Sequence, residues 1–325
     1  MEPLNSGLMT ALIEISYLVA SVLFIVGLKQ LSSPKTARRG NFLGFLGMML
    51  AVVATLLVGG LDWIWILVGI LVGGTIGAIM ALTVKMTSMP QMVAIFNGFG
   101  GGASMLVAAV EYLKPETDAA TFTVALTIVL SIIIGAVTLS GSFLAWAKLE
   151  GKFEKALTYP GQQVINALTF LAMVAIGAWI STQPGAPVEL LVALTALSLV
   201  FGVMFVMPIG GADMPVVVAL LNSYSGIAAS ATGFVLDNNV LIIAGALVGA
   251  SGIILTMIMC RAMNRSLANV LFAGFGTEGA TASAEFSEKP VKRATAEDAA
   301  ITSARSRWPS ARSRPSRPPG PRRSS

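Results

Sequence analysis

Histidine is absent from the 325 residues, and cysteine occurs once, at Cys260. These two absences exclude histidine-based catalytic triads, histidine or multi-cysteine zinc sites, and any disulfide within the chain. Titratable chemistry is left to carboxylates, lysine, tyrosine and water. Charge is equally scarce: Asp, Glu, Lys and Arg make up 11% of the sequence, against about 25% in a soluble domain. Hydrophobic residues make up 55%, and the mean hydropathy is +0.80. One core cannot hold so much apolar surface, so the sequence predicts an all-α, polytopic membrane helix bundle.

Runs long enough to span a bilayer at about 20 residues each fall near 8–28, 42–61, 63–82, 91–110, 121–145, 164–181, 188–207, 215–235 and 239–260. The 42–82 block is a single apolar run broken at Asp62, which leaves a merged or re-entrant pair open there. Loop charge supports nine spans. Lys29, Lys35, Arg38, Arg39, Lys85, Lys148, Lys152, Lys155, Arg261 and Arg265 fall on one side and Lys114 on the other. Basic residues collect on the cytoplasmic side, so the N-terminus is expected outside and the C-terminus in the cytosol. The flank before the first span carries Glu2 and no basic residue, which predicts an uncleaved span and not a signal peptide.

Within the spans, small and polar residues recur at helical spacing. Asn97, Gly101, Ser104, Ala108 and Glu111 share one face of the fourth. Thr127, Ser131, Gly135, Thr138 and Ser142 share one face of the fifth, and Asn222, Ser225, Ala229 and Thr232 one face of the eighth. Gly69, Gly73 and Gly77 in the third span, and Gly245 with Gly249 in the ninth, are expected to be close-packing seams. Asn97 and Asn222 are costly in hydrocarbon unless partnered, so each is expected either to line a hydrated path or to clamp two helices. Asp213 follows Gly210 and Gly211 and precedes Pro215. It is either a helix cap or a carboxylate at the cytosolic mouth of that path, able to take and release a proton. Glu14 is the competing carboxylate.

Residues 271–325 hold 10 basic and 5 acidic residues, whereas residues 1–270 hold 11 of each. The stretch 301–325, rich in Ser, Arg and Pro, is expected to be a disordered basic tail, with anionic lipid as one conceivable contact. Gly274, Gly276 and Gly279 fit G-x-G-x-x-G, but no strand pattern precedes them, so a hinge is expected and not a dinucleotide site.

The runs IGGADMPVVVALLNSYSG (209–226), GALVGASG (245–252), MCRAMNRS (259–266), MPQMVAIFNGFGGGAS (89–104) and GAVTLSGS (135–142) resemble the β subunit of the proton-translocating NAD(P)+ transhydrogenases, and the similarity covers nearly all of residues 8–280. The resemblance implies a membrane domain of an oxidoreductase and translocase that couples hydride transfer from NADH to NADP+ with inward proton movement. It also implies a transhydrogenase α subunit as partner, a dimer of αβ units, a bacterial inner-membrane location, and no nucleic-acid partner. NAD(H) and NADP(H) would be bound by extramembrane domains of the complete complex, and none by this chain. The family's proton-pathway positions would fall on Asn97, Ser142, Asp213, Asn222 and Gly252, with Arg265 and Ser266 at the junction to the nucleotide domain. Many members carry histidine at the position of Asn97. An amide exchanges no proton at accessible pH, so a relay here requires water and a carboxylate.

The expected organisation is a transmembrane proton-translocating domain over 1–266, a hinge or linker over 267–300 toward a nucleotide domain, and the tail over 301–325. The break near Ile301 resembles a frameshift or truncation, and the chain alone is expected to be inactive in hydride transfer. The alternatives are a small-solute transporter or channel, suggested by the polar stripes, and a non-functional fragment, suggested by the tail.

Overall fold

The computed structural model describes residues 2–58, 61–114, 121–153, 158, 160–183 and 186–271, with side chains described from Gly7. The described residues are helical and contain no strand. Among the described residues, nine helices are long and apolar enough to cross a membrane: α1 (Glu2–Leu31), α2 (Ala37–Leu56), α3 (Trp63–Thr83), α4 (Met89–Leu113), α5 (Phe122–Leu149), α6 (Gln162–Thr182), α7 (Val188–Val206), α8 (Met214–Val235) and α9 (Asn239–Ala262). A short α10 (Leu267–Leu271) follows. The nine expected spans are therefore present one for one. The chain is a multi-pass membrane protein.

The punctuation follows local chemistry. Asp62 separates α2 from α3 by capping α3, its side chain accepting from the Ile64 amide at 3.1 Å. That cap settles the 42–82 block as two spans. Pro90 and Pro215 occupy the first turns of α4 and α8, where a missing N–H costs nothing. Asn238 caps α9 by accepting from the Leu241 amide at 3.0 Å. The expected hinge begins just inside the described residues, and the expected tail lies outside them. Residues 267–271 form α10, with Val270 buried, while the rest, including Gly274, Gly276 and Gly279, lies outside them.

In a bilayer, lipid tails are as apolar as leucine, so helices associate through close packing and not through the hydrophobic effect. The centre of the described bundle is α8, whose Val216, Val217 and Leu221 are fully buried. Around it pack α4, α5 and α9, with α7 and α6 against α5, and with α1 and α2 paired beside α9. At the other extreme, α3 has no buried residue, and side chains such as Ile64, Trp65 and Leu82 face outward. Its Gly69, Gly73 and Gly77 meet nothing within 4 Å, so the expected packing seam has no counterpart among the described residues.

Side-chain contacts show which helix ends lie together. Lys148, in the last turn of α5, bonds carbonyls at the end of α7, and Gln91 at the start of α4 donates to the Leu149 carbonyl at 3.2 Å. Arg265, just after α9, pairs with Asp213 at the start of α8. At the opposite end the Tyr112 hydroxyl donates to the Ala186 carbonyl at 2.7 Å, tying the end of α4 to the start of α7.

Candidate functional site

The stripes of α4, α5 and α8 face one another in the bundle's interior. Where α4 meets α5, Gly101 and Gly135 bring the two backbones into direct contact. A Cβ on Gly101 would lie 2.7 Å from the Thr138 Cβ and 2.9 Å from the Gly135 carbonyl. This approach lets Asn97 and Ser142, both buried, meet: the Asn97 Nδ2 donates to the Ser142 Oγ at 3.1 Å. Further along, the Ser131 hydroxyl shares a short hydrogen bond with the Thr232 hydroxyl and reaches the Ala228 carbonyl at 3.2 Å and the Ser104 carbonyl at 3.4 Å. Three helices thus converge on one cluster of buried hydroxyls.

Asn222 is half-buried on α8 and makes no side-chain hydrogen bond to another described residue. Its neighbour one turn on, Ser225, has its Oγ only 3.1 Å from where a Cβ of Gly100 would stand, so this face of α8 is turned toward α4. A half-buried amide with unspent donors and acceptor is a place for water. The α9 stripe behaves as a packing seam. Gly245, Gly249 and Gly252 lie against Gly226, Ser230 and Ser223 of α8, and the Ser223 hydroxyl donates to the Gly249 carbonyl at 2.7 Å. A Cβ on Gly252 would stand 2.7 Å from the Ser223 amide nitrogen, so Gly252 is a contact point between α8 and α9.

Asp213 closes the short 3-10 turn Gly211–Asp213 that leads into α8. Its carboxylate forms no cap bond to α8, which removes the helix-capping reading. It is 5% exposed: Oδ2 lies 3.3 Å from the Arg265 Nη1, while Oδ1 is buried with no hydrogen-bond partner. Arg265 is delivered to that spot by the turn that ends α9. Asn264 takes the left-handed conformation, φ 53°, and the Arg265 amide bonds back to the Cys260 carbonyl at 2.9 Å. Ser266 caps α10, accepting from the Asn269 amide at 3.0 Å. Glu14 is exposed on α1.

Lys148 is the site residue that sequence reasoning misplaced. It reads as a loop charge after the fifth span, yet α5 runs on to Leu149 and Lys148 is 6% exposed. All three of its ammonium donors are used, on the carbonyls of Val206 at 3.1 Å, Met207 at 2.5 Å and Ile209 at 2.7 Å. Those acceptors close α7 and begin the loop that carries Asp213. The described residues hold no group of three or more Asp, Glu, Cys or His that could bind a metal. They also lack the strand, glycine-rich turn and helix that cradle a dinucleotide.

The family model described as "NAD(P) transhydrogenase beta subunit" matches residues 13–307. Two curated relatives from Rhodospirillum rubrum, each named NAD(P) transhydrogenase subunit beta, are 44% identical over 296 residues, covering 88% of this chain and 63% of the relative. The chain thus spans less than two thirds of the length of these relatives.

Proposed function

The chain belongs to the NAD(P) transhydrogenase beta subunit family, and on that premise we propose that its helices form the proton pathway of an enzyme coupling hydride transfer from NADH to NADP+ with inward proton movement. In this proposal it sits in a bacterial inner membrane, N-terminus outside and C-terminus cytosolic, with an α subunit as partner and αβ units pairing as a dimer. NAD(H) and NADP(H) are held elsewhere in the enzyme.

The observation that carries the proposal is Asp213: a carboxylate inside a membrane protein, buried, with one oxygen on Arg265 and the other unpartnered. Ionisable groups are expensive in a bilayer and mark pathways when they persist. The free Oδ1 is where a proton can be held. A proton there cancels the carboxylate charge and weakens the attraction to Arg265, so proton arrival and departure alter the link between the start of α8 and the segment after α9. Arg265 and Ser266, which caps α10, are then the junction through which proton movement reaches the nucleotide-binding part. Asn97, Ser142 and Asn222 carry no exchangeable charge, and their part is to hold water along the face where α4, α5 and α8 meet. Gly252 serves by letting α9 approach α8.

The test is Asp213→Asn in the complete β subunit assembled with its α subunit in vesicles. Asparagine keeps the size and hydrogen bonding but cannot ionise. Proton pumping and coupled hydride transfer are expected to fall about 100-fold or more, the general scale for losing a proton-transfer group, while the assembled complex stays in the membrane. Unchanged pumping would remove Asp213 from the pathway.

A further inference from the structure

We propose that the corner between α1 and α2 is a binding site for the phosphate headgroup of an anionic membrane phospholipid. The corner is a cleft of about 400 Å³ lined by Gln30, Arg38, Arg39, Phe42 and Leu43. Binding sites for small ligands start at roughly 300 Å³, so it has room for a headgroup and the upper part of its chains.

The frame is fixed by packing. Gly40 lies against Gly27 so closely that a Cβ would stand 2.6 Å from the Gly27 carbonyl, and the Thr36 hydroxyl donates to the Gln30 carbonyl at 2.6 Å. This turn sets both arginines in the first turn of α2, at the end of the helix where a cation is least favoured. The neighbouring sequence supplies no relief: residues 15–61 contain Lys29, Lys35, Arg38 and Arg39 and no Asp or Glu. Ion pairs among the described residues join Lys114 to Glu111 and Arg265 to Asp213, and neither involves Arg38 or Arg39.

Two other cations near helix ends are occupied. Lys148 is spent on carbonyls, and the Lys152 ammonium lies 4.0 Å from the centre of the Trp146 ring. Arg38 and Arg39 instead border an open cleft whose far wall is apolar. Gln30, whose amide oxygen is buried without a partner, lines the same cleft. The Gln30 side-chain amide also carries an NH2 donor. Two planar guanidiniums and an amide donor suit a phosphate oxygen set, because the guanidinium fork matches it in pairs. Phe42 stacks against Phe45, with ring centroids 6.5 Å apart, and both rings are exposed where acyl chains would lie. The combination of anion donors and an outward apolar wall favours a lipid over a soluble phosphate. Basic pockets between spans hold acidic headgroups by this chemistry.

The test is lipid retention, read by native mass spectrometry of the purified chain taken from nanodiscs of phosphatidylcholine and phosphatidylglycerol. Phosphatidylglycerol is expected to be retained in preference. Retention should fall about 30-fold in R38Q/R39Q, since each basic side chain near an anionic surface is worth about a factor of five. It should hold within twofold in K29Q/K35Q, which removes as much charge from the same corner. R38K/R39K, which keeps charge and fold but loses the fork, should fall between. Equal retention in the parent and R38Q/R39Q, or equal loss in the two glutamine pairs, would overturn the site. Displacement of the lipid by millimolar inorganic phosphate would assign the site to a soluble anion and overturn the lipid reading.

Discussion

A lysine ammonium in a membrane helix end normally reaches for water, and Lys148 does the reverse. Its three bonds to α7 carbonyls satisfy backbone acceptors that a helix end leaves open. Replacing it by methionine keeps the stem and strands buried acceptors, at a cost of about 2 kcal/mol or more, since each such group left unpaired costs about 1–3 kcal/mol. Lys148→Met is therefore expected to lower the thermal midpoint of the purified protein by several degrees, followed by tryptophan fluorescence, with Lys148→Arg recovering most of the loss. An unchanged midpoint would mean that the carbonyls find water instead. The sequence could not disclose this role. Lys148 stands among Lys152 and Lys155 in a stretch that reads as loop, and its partners lie on a helix whose end is brought alongside only by tertiary packing. The same holds for Arg265 and Asp213: each was singled out separately, by resemblance and by its glycine-proline setting, but their pairing depends on the turn at Asn264. Asn97 with Ser142 was closer to legible, because both lie on stripes of helical period.

Between elements, the bundle is held by backbone approach where α8 crosses α9 and where α4 crosses α5. Gly226 and Gly245 each stand where a Cβ would run into the backbone of the facing helix, a neighbour that cannot swing aside. Gly226→Val is expected to force α8 from α9 and cost at least about 1–3 kcal/mol, the ordinary range for overpacking, seen as loss of the monodisperse peak in detergent size-exclusion chromatography. Gly74→Ala on α3, where a Cβ meets nothing within 4 Å, should leave that peak intact. Spacing alone makes the two glycine rows equivalent, and both were read as packing seams. What separates them is that α9 has α8 beside it, whereas α3 has no described helix against its glycines. The spans themselves were legible because length and apolarity suffice to define them. Their ends shifted by a few residues where local chemistry intervened, as with Pro90 at the start of α4 or the buried Lys148 at the end of α5.

For the molecule as a whole, charge predicts the side of the membrane each end faces. The hydrogen bonds and ion pair that gather the ends of α5, α7 and α9 with the starts of α4 and α8 place Lys148 and Arg265 at one end of the bundle. Lys114, at the far end of α4, lies at the other, exposed and paired with Glu111 at 2.6 Å. Basic residues are retained on the cytoplasmic side during insertion, so the end rich in Lys and Arg is expected to be cytosolic. Cys260, the single native thiol, is buried on α9, so a cysteine introduced at an exposed position can be read against a low background, and Cys260→Ser would remove what remains. Lys114→Cys in that background should react with a membrane-impermeant maleimide added outside intact cells, whereas Lys85→Cys should react only after the membrane is opened. Labelling at position 114 from the cytosolic side alone would invert the bundle, placing Asp213 and Arg265 at the outer mouth and removing the proposed direction of proton movement with them.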